Sequence, residues 1–264
     1  MNIAILSDIH GNVVALEAVL KDLEQQGGVD LIIVPGDLFV FCPAPNEVLA
    51  ILQQLPNARF LLGNTDRYLL EETYPSTPGS DSWQDTLLLS FRWTAENLSR
   101  EGFDFLKTVP LFQIIQWGDR QLLAVHGSPR SDEEGLTMKT RPEELSETSI
   151  DPQVDIIVCG HTHIPMDRFI GHIRVVNAGS IGLPFDGDPR ACYVIISNLA
   201  GGVSPQVKFR RVVYDIEKVV EQLYALNHPA AEIGAYNLRT GRSMGSSLIY
   251  TSKMRHLTSD LAVE

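Results

Sequence analysis

The sequence predicts an α/β protein, on three observations. Through the first hundred residues, short apolar runs alternate with segments of helical period. Three successive runs end in a glycine-bearing polar turn: Ser7-Asp8-Ile9-His10-Gly11-Asn12, Pro35-Gly36-Asp37 and Gly63-Asn64-Thr65-Asp66. Polar residues at the carboxyl ends of strands are where open α/β sheets gather ligands, because side chains leaving the strand tips converge in the crevice beside the helices.

Ile3-Ala4-Ile5-Leu6 reads as a buried strand. Val13 to Gln26 places Val13, Leu16, Val19, Leu20 and Leu23 on one helical stripe, which Gly27-Gly28 ends. Leu31 to Val34 is the second strand, Asn46 to Gln54 a helix stopped before Pro56, and Arg59 to Leu62 the third strand. Thr65 and Asp66 are expected to cap a helix starting near Arg67. Tyr74 to Asp81, rich in Pro, Ser and Gly, is a loop, and Trp83 to Leu98 and Glu101 to Lys107 have helical spacing.

From Leu111 the pattern changes. Leu111 to Gln116 and Gln121 to Val125, about the turn Trp117-Gly118-Asp119, predict a hairpin closed by His126-Gly127-Ser128-Pro129. The polar run from Arg130 to Asp151 is long for a loop and reads as a flap near the site. Val154 to Cys159 is another buried strand, ended by Gly160-His161-Thr162-His163. Strands follow at Ile173 to Asn177, Cys192 to Ser197 and Val207 to Val213, and Asp215 caps a helix through Leu226. Residues 1–241 form one domain, with 242–264 as a C-terminal extension.

Composition narrows the function classes. A net charge of -12 argues against a protein that grips long nucleic acid, which needs clustered Lys and Arg. A basic stretch with Arg239, Arg242, Lys253 and Arg255 reads as a solvated tail. No run approaches the roughly 20 apolar residues of a membrane span, and no basic leader precedes the first strand, so a cytoplasmic protein without a membrane partner is expected. Cys42, Cys159 and Cys192 are odd in number and lie in apolar company, as reduced core thiols do. A homo-oligomer is compatible with all of this.

The polar strand-end residues are Asp8, His10, Asp37, Asn64, His126, His161 and His163, which include four of the chain's seven histidines. An extended Asp8-x-His10 would put a carboxylate and an imidazole on one side, within reach of one cation. Mixed nitrogen and oxygen donors without thiolate suit Mn, Fe, Zn, Co or Ni rather than Ca or Mg. Seven donors exceed one tetrahedral shell but suit two ions sharing a carboxylate. Two divalent ions against two carboxylates leave the site positive, which lets an acidic protein hold an anionic ligand.

Asp8-x-His10, Gly36-Asp37, Gly63-Asn64, His126-Gly127 and Gly160-His161-x-His163 stand in the order of the motifs of the calcineurin-like metallophosphoesterases. The chain resembles that family, and within it the YfcE-type phosphodiesterases, over roughly residues 1–225. The resemblance implies a four-layer α/β/β/α sandwich, with one ion on Asp8, His10, Asp37 and His163 and a second on Asp37, Asn64, His126 and His161. Manganese comes first among the metals. It further implies hydrolysis of small-molecule or nucleotide phosphodiesters by a metal-bridging hydroxide, with Asp37, Asn64 and His126 as catalytic residues. Ser7, Asn12, Arg130 and Arg190 are the candidate substrate contacts, the arginines because their fork matches phosphate oxygens.

One position departs from the family pattern. The histidine that usually follows the metal-binding Asn is Thr65 here, which puts proton donation to poor leaving groups in question. Two other classes fit less well: a catalytically silent metal-binding scaffold, disfavoured by retention of all seven donor types, and a nuclease, disfavoured by charge.

Overall fold

The computed structural model describes residues 1–74, 82–146, 151, 153–197 and 204–244. Its elements, in chain order, are β1 (Asn2–Ile5), α1 (Val13–Gln25), β2 (Leu31–Pro35), α2 (Pro45–Leu52), β3 (Ala58–Leu61), α3 (Asn64–Glu71), α4 (Ser82–Asn97), α5 (Arg100–Leu106), β4 (Phe112–Trp117), β5 (Arg120–Val125), α6 (Pro142–Ser146), β6 (Val154–Cys159), β7 (Met166–Ile170), β8 (Ile173–Asn177), β9 (Ala191–Ser197), β10 (Gln206–Val212), α7 (Ile216–Ala225) and α8 (Ala231–Thr240). The strands form two mixed five-stranded sheets, in the orders β10-β9-β1-β2-β3 and β4-β5-β6-β8-β7.

Strand periodicity builds the layers. In β1, Ile3 and Ile5 face one side and Ala4 the other; in β2, Leu31 and Ile33 alternate with Ile32 and Val34 in the same way. Ile3, Ile5, Leu31 and Ile33 meet Leu122, Ala124, Ile156 and Val158 of the second sheet, forming a dry inter-sheet core closed at one end by Trp117. Ala4, Ile32 and Val34 instead pack under apolar residues of α1, α2, α7 and α8. The outer face of the second sheet is covered more thinly, by Leu136 and by Leu145 of α6. The result is the expected helix, sheet, sheet, helix sandwich.

Three elements lie outside the sequence reading, the first being α6, a short helix within the run read as a loop. β7 pairs antiparallel with β8 as an edge strand whose exposed Phe169 hides its alternation. α8 buries Ala231, Gly234, Ala235 and Leu238, small residues that a search for large apolar side chains passes over. The stretch from Arg130 is not a free flap in its described part: Leu136 and Leu145 are buried, and Arg67 of α3 grips Asp132 through Nε and Nη2 at 2.6 and 3.1 Å. The predicted loop from Tyr74 and the tail beyond residue 244 fall largely outside the described residues.

Parallel pairing sets the site's location. β1, β2 and β3 run parallel in one sheet, and β5, β6 and β8 in the other, so their carboxyl ends open on one edge of the sandwich. Backbone hydrogen bonds then stitch the turns together. Asp8 N–H donates to Gly36 O at 3.2 Å, His10 N–H to Asp37 O at 2.9 Å, and Gly160 N–H to His126 O at 2.8 Å.

Candidate metal centre

All seven strand-end donors meet in one cluster. Asp8, His10, Asp37 and His163 are buried, and each offers a ligand atom within 4.8 Å of the others. His163 Nε2 lies 3.2 Å from Asp8 Oδ1, and His10 Nε2 lies 3.6 Å from Asp37 Oδ2. The other carboxylate oxygen of Asp37 faces the second group: Oδ1 is 3.5 Å from His126 Nε2. Asn64 Oδ1 is in turn 3.0 Å from His126 Nε2 and 3.1 Å from His161 Nδ1. Asp37 therefore stands between two four-donor groups, one oxygen toward each.

The backbone here is not the extended segment expected for Asp8-x-His10. Asp8, His10, Asp37, His161 and His163 all have φ between 54° and 65°. Left-handed backbone is costly for residues with a Cβ and collects at functional sites, where the surroundings enforce it. It turns each donor off its strand axis into the crevice. Glycines make room: at Gly160 a Cβ would fall 2.2 Å from Asp8 Oδ2, and Gly36, at φ 89°, would press one to within 2.8 Å of His126 Nδ1.

Three imidazoles are held from behind. His10 Nδ1 lies 3.0 Å from Val40 O, His126 Nδ1 2.7 Å from Pro35 O and His163 Nδ1 2.5 Å from Leu183 O. Carbonyls only accept, so in each neutral ring Nδ1 carries the proton and Nε2 presents its lone pair inward, as metal-ligating histidines do. His10 Nε2 and His163 Nε2 then face one another at 3.1 Å. Two facing lone pairs need a positive charge between them, either a proton or a cation. This donor set fits divalent transition metals.

Burial and the neighbouring charges pull these groups in different directions. Burial pushes His10 down to about 4, a pull that Asp37 and Asp8 only partly offset. Burial also opposes charge on His163 and His126, but there the nearby carboxylates outweigh it and raise both. Asp8 is raised by burial and pulled further down by His163, His126 and His10, so it remains ionised. Asp66, raised to about 7 by burial and by Asp37, accepts Leu38 N–H at 3.0 Å and Gly63 N–H at 3.0 Å, bracing the two turns that carry Asp37 and Asn64.

Thr65 takes a role that capping did not anticipate. Its hydroxyl donates to Asp37 Oδ1 at 2.7 Å and its N–H to the same oxygen at 3.0 Å. The helix starts at Asn64 rather than near Arg67, with Gly63 as its N-cap; Thr65 and Asp66 lie in its first turn, and the Asp66 carboxylate accepts Gly63 N–H. Ser7 and Asn12 are fully buried. The Ser7 hydroxyl donates to Asp8 Oδ2 at 2.5 Å, and Asn12 caps α1 and donates to Gly182 O at 3.1 Å. Arg130 pairs with Glu134 and Arg190 with Asp188. None of these four lines the cavity that opens over the donors.

That cavity is the part sequence reasoning missed. It holds about 250 Å³ and shares His10, Asp37, Asn64, His161 and His163 with the cluster. Its other wall comes from Phe41, Tyr68, Phe185 and residues of α4 and α8. These side chains leave helices and loops without any strand-end signature.

Fold and donor cluster together define a metal-binding phosphoesterase sandwich, and comparison with known proteins agrees. Residues 1–199 match the calcineurin-like phosphoesterase superfamily domain, and the chain belongs to that family. Among its relatives, phosphodiesterase YfcE of Escherichia coli K12 is 27% identical over 207 residues, 75% of this chain and 88% of that protein. Protein MJ0912 of Methanocaldococcus jannaschii is 27% identical over 236 residues, 84% of this chain and 91% of that one. A metallophosphoesterase from Sphaerobacter thermophilus superposes with a TM-score of 0.72 at 28% identity, covering 91% of this chain and 99% of its own.

Proposed function

We propose that the protein is a metal-dependent phosphodiesterase of small phosphate esters, with a binuclear centre of divalent transition metal, manganese first. Asp8, His10, Asp37 and His163 would hold one ion and Asp37, Asn64, His126 and His161 the other. The observation that carries this reading is Asp37, whose two carboxylate oxygens face the two donor groups separately. When bound, two such ions supply Lewis acidity and an activated water at neutral pH.

The chain's own residues do the rest. The Val40, Pro35 and Leu183 carbonyls fix the tautomers of three ligand histidines. Thr65 orients the shared carboxylate, so its hydroxyl is committed and is not aimed at a departing oxygen. Asn64, as an uncharged donor, leaves the site its positive balance for an anionic diester. The cavity has no lysine or arginine among its described lining residues, which favours a singly charged diester over a polyphosphate.

The deciding experiment is turnover by manganese-loaded protein of bis(p-nitrophenyl) phosphate, p-nitrophenyl phosphate and alkyl monoesters, with metal content measured on the same sample. The expected result is about two ions per chain, diester preferred to monoester, and rates that fall steeply as leaving-group pKa rises. One ion per chain with full activity overturns the binuclear reading. A monoester preference overturns the diester reading.

A further inference from the structure

The cavity beside the donor cluster has a composition that the hydrolytic chemistry does not explain. Phosphoryl transfer needs charge and hydrogen bonds, yet the wall opposite the donors is largely apolar, with Phe41, Phe91, Phe185, Leu87 and Ile233 beside a few hydroxyls and one amide. The rings are mutually arranged. Phe41 lies 5.4 Å from the His10 ring and meets Phe91 edge-on at 5.6 Å, while Phe185 stacks on His163 at 4.4 Å with 13° between planes. Both ligand histidines thus carry an aromatic neighbour that extends the donor floor into the apolar wall.

Phe41 is the most telling member. Its φ is 93°, a conformation that a bulky residue adopts only when enforced. Cys42 N–H, donating to His10 O at 2.8 Å, and Gly11, packed against the Cys42 backbone, help hold this loop. Backbone strain held over a substrate-sized space is a mark of function rather than of packing convenience. The remaining wall is supplied by α4 and by α8, which begins at Ala231, beyond the family match that ends at residue 199. At about 250 Å³ the space lies near the lower end of ligand pockets, enough for a single ring system beside a phosphoryl group.

We propose that this cavity is the specificity subsite of the phosphodiesterase, and that it takes a neutral, flat, aromatic substituent of the ester, such as an aryl group or one nucleobase. The inference deepens the activity proposed above and rests on it. Two features disfavour other ester classes. A polyphosphate arm would meet no cation among the described lining residues, and an open sugar chain would leave most of its hydroxyls against a largely apolar wall. Asn237, with Oδ1 accepting Met244 N–H at 2.9 Å, places a polar amide at the cavity edge, where a ring heteroatom would lie.

The test separates this subsite from the activity. Phenylphosphonate and methylphosphonate carry the same anionic head and differ in the group the cavity would receive, so their calorimetric affinities for the manganese-loaded protein compare the subsite alone. Phenylphosphonate is expected to bind at least about 10-fold tighter, from the extra apolar area buried. Ile233→Trp, at a half-buried position of α8, should fill the space, abolish that preference and leave methylphosphonate affinity within about twofold. Leu87→Trp on α4 repeats the test from the facing helix. Turnover of bis(p-nitrophenyl) phosphate is followed in parallel. If the diester is cleaved but both phosphonates bind alike, or the tryptophan variants keep the preference, the subsite is overturned and the activity stands. If the preference appears and vanishes as expected while no diester is cleaved, the activity reading is overturned and the subsite stands.

Discussion

The two sides of the cavity differ in how they are made. The donor side consists of strand ends whose left-handed turns are cross-linked by short-range hydrogen bonds, with buried polar atoms partnered by carbonyls, carboxylates and backbone N–H groups. The opposite side consists of side chains from helices and loops far apart in sequence, some joined by ring contacts. Directional bonds position a reacting centre to fractions of an ångström, whereas apolar packing sets a shape and tolerates exchange of one hydrophobe for another. Damage to the first side should therefore appear in metal content and kcat, and damage to the second in affinity for particular esters.

The largest effect is expected at the residue the two donor groups share. Asp37→Asn keeps the shape of the side chain but removes half of the carboxylate charge in the site. Activity should fall by on the order of 10³-fold or more, with metal content dropping toward one ion or fewer. Far-UV circular dichroism should be unchanged, since Asp37 lies in a turn outside the sheets. Full activity with two bound ions would remove Asp37 from the bridging position and end the contrast drawn here.

A smaller effect is expected one step behind the ligands. Thr65→Val is nearly isosteric, keeps the backbone N–H on Asp37 and deletes only the hydroxyl hydrogen bond. Removal of such outer partners typically costs 10–100-fold in metal affinity or activity. Thr65→Ser should restore most of the loss. Because the hydroxyl serves Asp37 and not the leaving group, the slope of rate against leaving-group pKa should be the same in Thr65→Val as in the unaltered protein. A steeper slope in the valine variant would make Thr65 a proton donor after all.

The contrast also explains what could be read from residues alone. The donors were legible because each lies just past an apolar run and five of the seven sit directly beside a glycine, as in Gly36-Asp37 or His126-Gly127, so local order in the chain carried the geometry. The left-handed conformation at Asp8 and His10 was not legible, since neither residue type announces it and an extended segment explained the spacing equally well. Ser7 and Asn12 drew attention as polar neighbours of the donors, yet their partners are Asp8, Gly182 and the start of α1, contacts that require the fold. The aromatic wall was invisible for the same reason. Phe41, Phe91 and Phe185 are each ordinary core residues in one dimension, and only the packing of α4 and α8 over the strand ends turns them toward a common space.

The smallest expected effect compares a buried histidine of the donor side with one buried beside α4 just before α8, outside the cavity lining. His10 and His228 are both pushed down to about 4, in each case by burial first. His10 has Asp37 and Asp8 beside it, and its Nε2 points at the proposed metal position, so protein loaded there would keep it neutral for a reason unrelated to the wall. His228 precedes α8 and packs edge-on against Trp93 of α4 at 4.4 Å. Its Nδ1 accepts Ala230 N–H at 3.1 Å, and its buried Nε2 has no hydrogen-bond partner among the described residues. The unfolded chain binds this proton near pH 6.5 and the folded chain only near 4, so between those values the unfolded state holds more protons and stability falls as pH falls. Above about pH 6.5 the penalty is absent; near pH 4 it reaches on the order of 2–3 kcal/mol. For a chain of this size that is roughly 4–12 °C in Tm. His228→Gln, which cannot charge, should flatten this part of the Tm profile, and the difference between variant and unaltered protein should be the same with manganese or with chelator, because no ligand is involved. If chelation changes that difference, the wall and the donor cluster are energetically coupled, and the two sides of the cavity act as one unit rather than two.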